Sequence, residues 1–220
     1  MSLNEAGDFD INAMAQDIYE YAKNKGWWDH NRSFAECIAL AHSELTEAFN
    51  ALPIALDHAK RHLDTIDERS ADKDIFSEVW YREKDGKPEG FLYELADVII
   101  RLLDASAHFK IDLKVGTNNL LAFEDTKRGI VSTMSILLLT IHSRLSDALE
   151  AWRDNKENDE VAPHKDLEGS YYGIGYSIAA AIVAIEINMF VLGCGDIWKY
   201  VQNKHEFNLA REYRHGGKRA

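Results

Sequence analysis

The sequence predicts an all-α fold: a four-helix-bundle core built from two tandem helical units, with a partly helical insertion. Three observations carry that expectation. Only 3 prolines occur in 220 residues and long stretches lack glycine, so few positions break a helix. Apolar residues recur at helical spacing between recognisable start and stop signals. One segment is also written nearly twice. Residues 42–52 read HSELTEAFNAL and residues 142–152 read HSRLSDALEAW, five identities in eleven positions at an offset of 100. Similarity at a fixed offset between two long helices marks a duplicated two-helix unit. Two such units packed face to face make a four-helix bundle.

The elements follow in order. Residues 11–25 form a first helix, ended by Gly26. Ser33 and Glu36 have the spacing of a capping box, so a second helix starts there and runs to about Pro53. Residues 57–88 are charged and weakly periodic, and read as a partly helical insertion with a turn at Asp85-Gly86. Pro88 opens a third helix through "EGFLYELADVIIRLLDASAHF", and a short helix follows near 112–123. A long helix covers about 129–154, then a polar loop, an apolar helix over 171–192, and a last helix after Gly195. The first unit is thus 1–125 and the second 126–220, together one compact domain, with a loose basic tail, EYRHGGKRA.

Composition limits the function. Hydrophobic residues make up 46% and charged residues 28%, an ordinary globular balance. A formal net charge of −12 argues against a nucleic acid polymer as partner, though a small anion can still be held through bridging cations. Cys37 and Cys194 form neither a disulfide framework nor a metal spacing, which fits a reduced, cytoplasmic protein. The N-terminus MSLNEAGDFD has no signal-peptide pattern. Residues 176–195 are long and apolar enough to span a bilayer, but Glu186 and Asn188 lie in their middle. A buried central helix and no membrane partner is the expectation.

Among the acids, Glu44 and Glu47 share one helix face, as do Glu94 and Asp97. The spacing alone is common; Asp17/Glu20 and Asp147/Glu150 have it too. The surroundings separate the first two pairs. Glu44 falls among Cys37, Leu40, Ala48 and Ala51, away from the wet face. Glu94 and Asp97 continue into a stripe with Arg101 and Asp104. If the two helices pack antiparallel, four carboxylates converge, repelling one another unless a cation compensates. All-oxygen ligation suits Mg²⁺ or Mn²⁺. On this view, removing Glu44 relieves repulsion in the metal-free protein.

HSELTEAFNAL followed by GFLYELADVIIRLLD, with NKGWWDHNRSFAE before and KHEFNLAREYRHGGK at the end, resembles the MazG-like all-α nucleoside triphosphate pyrophosphohydrolases. The resemblance covers residues 20–56, 88–115 and 200–219. It implies Mg²⁺ on Glu44, Glu47, Glu94 and Asp97, which would act as metal ligands and catalytic residues. It also implies cleavage of a nucleoside triphosphate substrate to the monophosphate and pyrophosphate. The long gap between Glu47 and Glu94 departs from the family pattern and is assigned to the insertion. The basic tail motif follows the second apolar helix instead of the E-x-x-D helix, so phosphate contacts are divided between the copies. Lys204, Asn208 and Arg211 share one face and are candidate phosphate contacts, with a solvated basic helix end as the alternative. Trp27 and Trp28 offer rings to a base or to the core, and Trp28 is taken as substrate-binding. His42 and His142 read as packed, hydrogen-bonded histidines ahead of general bases.

The second copy keeps the scaffold and loses the ligands. Arg144 replaces Glu44 and only Asp147 remains of the first acid pair. At an offset of 84, Ile178 and Ala181 stand opposite Glu94 and Asp97. The second unit is therefore expected to be structural, completing in one chain what simpler relatives build from two. Arg144 forms a surface salt bridge or lends charge to the phosphates. A homodimer is possible on the same grounds. A dUTPase-like or other phosphate-anhydride hydrolase, and a non-enzymatic helical oligomerisation or partner-binding protein, are the alternative functions.

Overall fold

The computed structural model describes residues 10–63, 82–84, 86–113, 134–156, 173–191 and 194–213. Among them are six helices: α1 (Ile11–Asn24), α2 (Phe34–Leu63), α3 (Phe91–His108), α4 (Met134–Lys156), α5 (Ile174–Val191) and α6 (Ile197–Ala210). A two-stranded hairpin, β1 (Arg82–Lys84) and β2 (Lys87–Glu89), lies between α2 and α3. The fold is an all-α bundle. Helix α3 is central, packing on α1, α2 and α6; α2 packs on α4, and α4 on α5. One continuous apolar core joins them, with Leu45, Leu95, Ile99, Ile141, Leu145 and Ile182 among its buried members.

Local chemistry sets most helix ends. The Asp10 carboxylate accepts from the N–H groups of Asn12 and Ala13, at 3.0 and 3.2 Å, and caps α1. At the other end Gly26 takes φ 79°, a conformation that costs glycine little. The Tyr213 ring packs where a Gly26 side chain would project, and its hydroxyl donates to Asp29. The capping box forms: the Ser33 N–H donates to Glu36 Oε2 at 2.7 Å and the Glu36 N–H to Ser33 Oγ at 3.3 Å. Asp196 caps α6 by accepting from the Trp198 N–H at 3.0 Å.

Three boundaries depart from the sequence expectation. Helix α2 does not stop at Pro53 but continues to Leu63. Proline removes one helical N–H, yet its fixed φ is itself helical. Pro88 does not open α3; it lies in β2, paired with Glu83, and α3 starts at Phe91 after Gly90 with φ 119°. The hairpin turns at Gly86, φ 76°, so the insertion is partly extended as well as helical. The short helix expected near 112–123 lies mostly outside the described residues, and its described start, Asp112 and Leu113, is not helical. The start of the long helix at 129–133, most of the polar loop and the tail from Arg214 also lie outside them.

The duplicated segments occupy matching environments. Paired at the offset of 100, residues 34–52 and 134–152 are alike buried, half-buried or exposed at all but three positions, 34, 49 and 52. His42 meets its own counterpart: the two Nδ1 atoms lie 2.7 Å apart and the rings stack with centroids 4.9 Å apart. Equivalent residues of α2 and α4 therefore meet where these two helices pack. That contact is a hydrogen bond when one Nδ1 carries a proton and the other accepts it.

Helix α5 is long and apolar enough to cross a membrane, yet 61% of it is buried inside the protein. The polar groups within it are satisfied locally. Asn188 donates to the Ala184 carbonyl at 2.8 Å, and Glu186 accepts from Trp198 Nε1 at 3.1 Å. It is a core helix of the bundle.

Candidate functional site

A cavity of about 240 Å³ opens between α1, α2, α3 and α6. Helix α2 contributes Glu44 and Glu47, and α3 contributes Glu94, Asp97, Arg101 and Asp104 along one face. Helix α6 brings Lys204 and Asn208, and Arg211 follows directly after its end. Helix α1 and its following turn supply Ile18, Tyr21, Ala22 and Trp27. Neither α4 nor α5 lines it. Seven of the eight residues singled out in the sequence therefore meet around one space.

Three of the four acids converge. One carboxylate oxygen each from Glu44, Glu94 and Asp97 lies within 4.8 Å of the others. Glu47 also lines the cavity but is exposed. The carboxylates are met by cations that the sequence did not pair with them. Arg101 donates through Nε and Nη2 to Glu44 Oε1, both at 3.0 Å. Lys204, only 2% exposed, places Nζ 2.8 Å from Asp97 Oδ2 and donates to the Pro88 carbonyl at 3.0 Å. Lys204 thus neutralises the acid cluster, and Arg211 and Asn208, both half-buried, face the cavity beside it. The Arg101 pair also reverses the expected effect of losing Glu44, which would leave a mostly buried guanidinium without its partner.

Burial raises the protonation of these acids. Glu94 is pushed up to about 7, chiefly by burial; Lys204 opposes this, and Asp97, Glu47 and Glu44 add to it. Asp97 is raised by burial against the pull of Lys204. Asp104 is pushed up to about 6 by burial, opposed by its hydrogen bond from Trp28 and by Arg101 and Arg32. Even with Lys204 and Arg101 in place, the cluster carries more negative charge than its buried setting favours. The donor set fits a hard divalent cation: three carboxylates from two helices, each salt bridge using one oxygen of its carboxylate.

One sequence assignment changes, and of the two readings of Arg144 the surface salt bridge is the one that forms. Trp28 does not line the cavity. Its Nε1 donates to Asp104 Oδ1 at 2.8 Å and its ring stacks on His108 at 3.7 Å, while the neighbouring Trp27 faces the cavity. Arg144 does not reach the site; it pairs with Asp147 at 3.5 Å, both half exposed on the surface of α4. Ile178 and Ala181 are buried in the core. Arg101 and Asp104 were visible in the sequence as a continuation of the Glu94/Asp97 stripe. Lys87 and Tyr21 carry no local signal, because the hairpin and the α1–α6 packing bring them in.

Comparison of the chain with family models, with curated proteins and with solved structures finds no match.

Proposed function

We propose that this cavity is the active site of a Mg²⁺-dependent hydrolase that cleaves a nucleoside triphosphate to the monophosphate and pyrophosphate. One observation carries the reading: three converging carboxylates on α2 and α3 share a single cavity with Lys204 and Asn208 of α6 and with Arg211 just after it. The resemblance of the same segments to the MazG-like pyrophosphohydrolases supports it.

Glu44, Glu94 and Asp97 would hold the ion. When bound, a divalent cation supplies charge neutralisation at the phosphates and acidifies a water. Arg101 fixes Glu44 by two bonds to one oxygen, which leaves Oε2 for ligation. Lys204 plays the same part for Asp97 through Oδ2. Arg211 presents a planar guanidinium that suits phosphate oxygens, and Asn208 adds an amide beside it. Glu47, outside the three-carboxylate set but on the cavity's lining, would take the proton of an attacking water at its carboxylate. The apolar walls of Ile18, Ala22 and the partly buried Ile100 would limit water around the reacting groups.

The test is pyrophosphate release from a panel of nucleoside triphosphates, with Mg²⁺ and with chelator, for the wild type and Glu44→Ala. Metal-dependent pyrophosphate release by the wild type alone supports the reading. Release of orthophosphate instead points to a different phosphate-anhydride hydrolase. No metal-dependent turnover of any nucleotide refutes the enzyme.

A further inference from the structure

The cavity's walls differ along α3. Glu94 and Asp97 stand toward the start of α3 and Arg101 and Asp104 toward its far end, while Ile100 and, from α1 and its following turn, Ile18, Ala22 and Trp27 supply apolar wall. Asp104 is the acid at that end, and it is 6% exposed although it lines the cavity. Trp28, next in sequence to Trp27, donates to its Oδ1 at 2.8 Å. Two guanidiniums act on it through space: Arg101 is engaged through Nε and Nη2 with Glu44, and Arg32 lies over the Trp28 ring at 5.4 Å. A carboxylate this buried is costly unless further donors reach it, and Oδ2 is the acceptor that remains. Asp104 is seven residues beyond Asp97, roughly 10 Å along the helix at 1.5 Å per residue. That is about the reach from the phosphate of a nucleoside 5′-phosphate across its sugar to the edge of its base.

We infer that Asp104 is the specificity-determining residue of the site: its Oδ2 accepts an N–H from the edge of a nucleobase whose ring lies against Trp27. The inference rests on the nucleotide-hydrolase reading and adds which end of the cavity takes the base. A planar heterocycle with an N–H donor on its rim matches both the apolar wall and the single acceptor.

The experiment compares kcat/KM for the common nucleoside triphosphates and for methyl triphosphate, which has neither sugar nor base, in wild type, Asp104→Ala and Asp104→Asn. In Asp104→Ala the preferred nucleotide should lose roughly tenfold to a hundredfold, the scale of one hydrogen bond to a charged group. Methyl triphosphate should lose about tenfold less, and the spread between best and worst base should shrink. Asp104→Asn keeps the shape and an acceptor for Trp28 but turns a donor toward the ligand. It should move the preference toward bases with a carbonyl at that edge, and it serves if the alanine variant does not fold. An unchanged base ranking in the folded variant overturns the inference, as does an equal loss on methyl triphosphate. If the wild type cleaves no triphosphate, the hydrolase reading fails separately. Calorimetric binding of nucleoside 5′-monophosphates then decides: base-dependent binding lost in the variants sustains the role of Asp104, and its absence overturns it.

Discussion

Replacing Lys204 by methionine keeps the length of the side chain and removes its charge from a place that is 2% exposed. Asp97 then has no ammonium at 2.8 Å, and Glu44 and Glu94 remain close by. The cheapest response is for Asp97 to stay protonated in the folded state. The cost is bounded by the work of protonating a group whose ordinary value is 3.8. At pH 7 that bound is about 4 kcal/mol, and at pH 5 it is about 1.6 kcal/mol. Losing the bond to the Pro88 carbonyl adds about 1 kcal/mol, and the buried methionine offsets a similar amount. Lys204→Met should therefore cost at most about 4 kcal/mol at pH 7 in chelator, less the part that burial already exacts from Asp97 in the wild type, a melting point lower by up to roughly 8–16 °C for a chain of this size. The sign follows from linkage. In the variant the folded value of Asp97 lies above its unfolded value, so the unfolded chain releases the proton first as pH rises, and the deficit grows with pH. Thermal melts at pH 5 and pH 7, in chelator and then in Mg²⁺, measure this. A bound cation replaces part of the missing charge, so Mg²⁺ should raise the melting point more in the variant than in the wild type. A deficit under about 2 °C, or one independent of pH, refutes the assignment of Lys204 as the counter-charge of Asp97.

Glu44→Ala should abolish Mg²⁺-dependent turnover and lower the melting point in chelator by the equivalent of about 1–3 kcal/mol, because Arg101 loses both of its bonds to Oε1; a more stable variant would contradict that pairing. Arg211→Ala should lower kcat/KM roughly tenfold to a hundredfold, while Asp147→Ala, whose only described partner is the exposed Arg144, should leave it within about twofold. Comparable losses in both would mean that the second unit shares in catalysis. Burial, and for His42 the charge of His142, hold both histidines below 6.5 when folded, so the unfolded chain takes up protons first and stability falls as pH drops through 6.5. The double variant His42→Phe/His142→Phe should remove this contribution between pH 5 and 7 in urea unfolding. His108 and His205, which burial also lowers, contribute with the same sign, and Glu94, Asp97 and Asp104, which burial raises, with the opposite sign; a pH dependence identical to that of the wild type would show that the stacked pair does not titrate.

What could be read from the chain was what one helix does to its own neighbours. The capping box at Ser33 and Glu36 formed because its bonds close within four residues. Glu44 proved largely buried, and Glu94 and Asp97 share a face, because helical rotation alone places them. The repeat at an offset of 100 was legible as a pattern, and the burial of α4 follows that of α2 position by position. The same rotation put Lys204 and Asn208 together, whereas Arg211 follows the helix end in extended backbone and still lines the cavity.

Which residues meet across helices was decided by packing. Arg101 on Glu44 and Lys204 on Asp97 are contacts 57 and 107 positions apart along the chain, between helices whose relative rotation and depth no local pattern sets. Trp27 and Trp28 are adjacent, and only the docking of the α1–α2 turn against α3 sends one to the cavity and the other to Asp104 and His108. The exposure of Glu47, the arrival of Lys87 on a hairpin and the isolation of Arg144 have the same origin. By itself the sequence determined the helices, their inward faces and the acids that lie on them. The tertiary structure decided which charges face one another, because Coulomb and hydrogen-bond partners are set by distances of a few ångströms between elements, and helical periodicity constrains only directions within one.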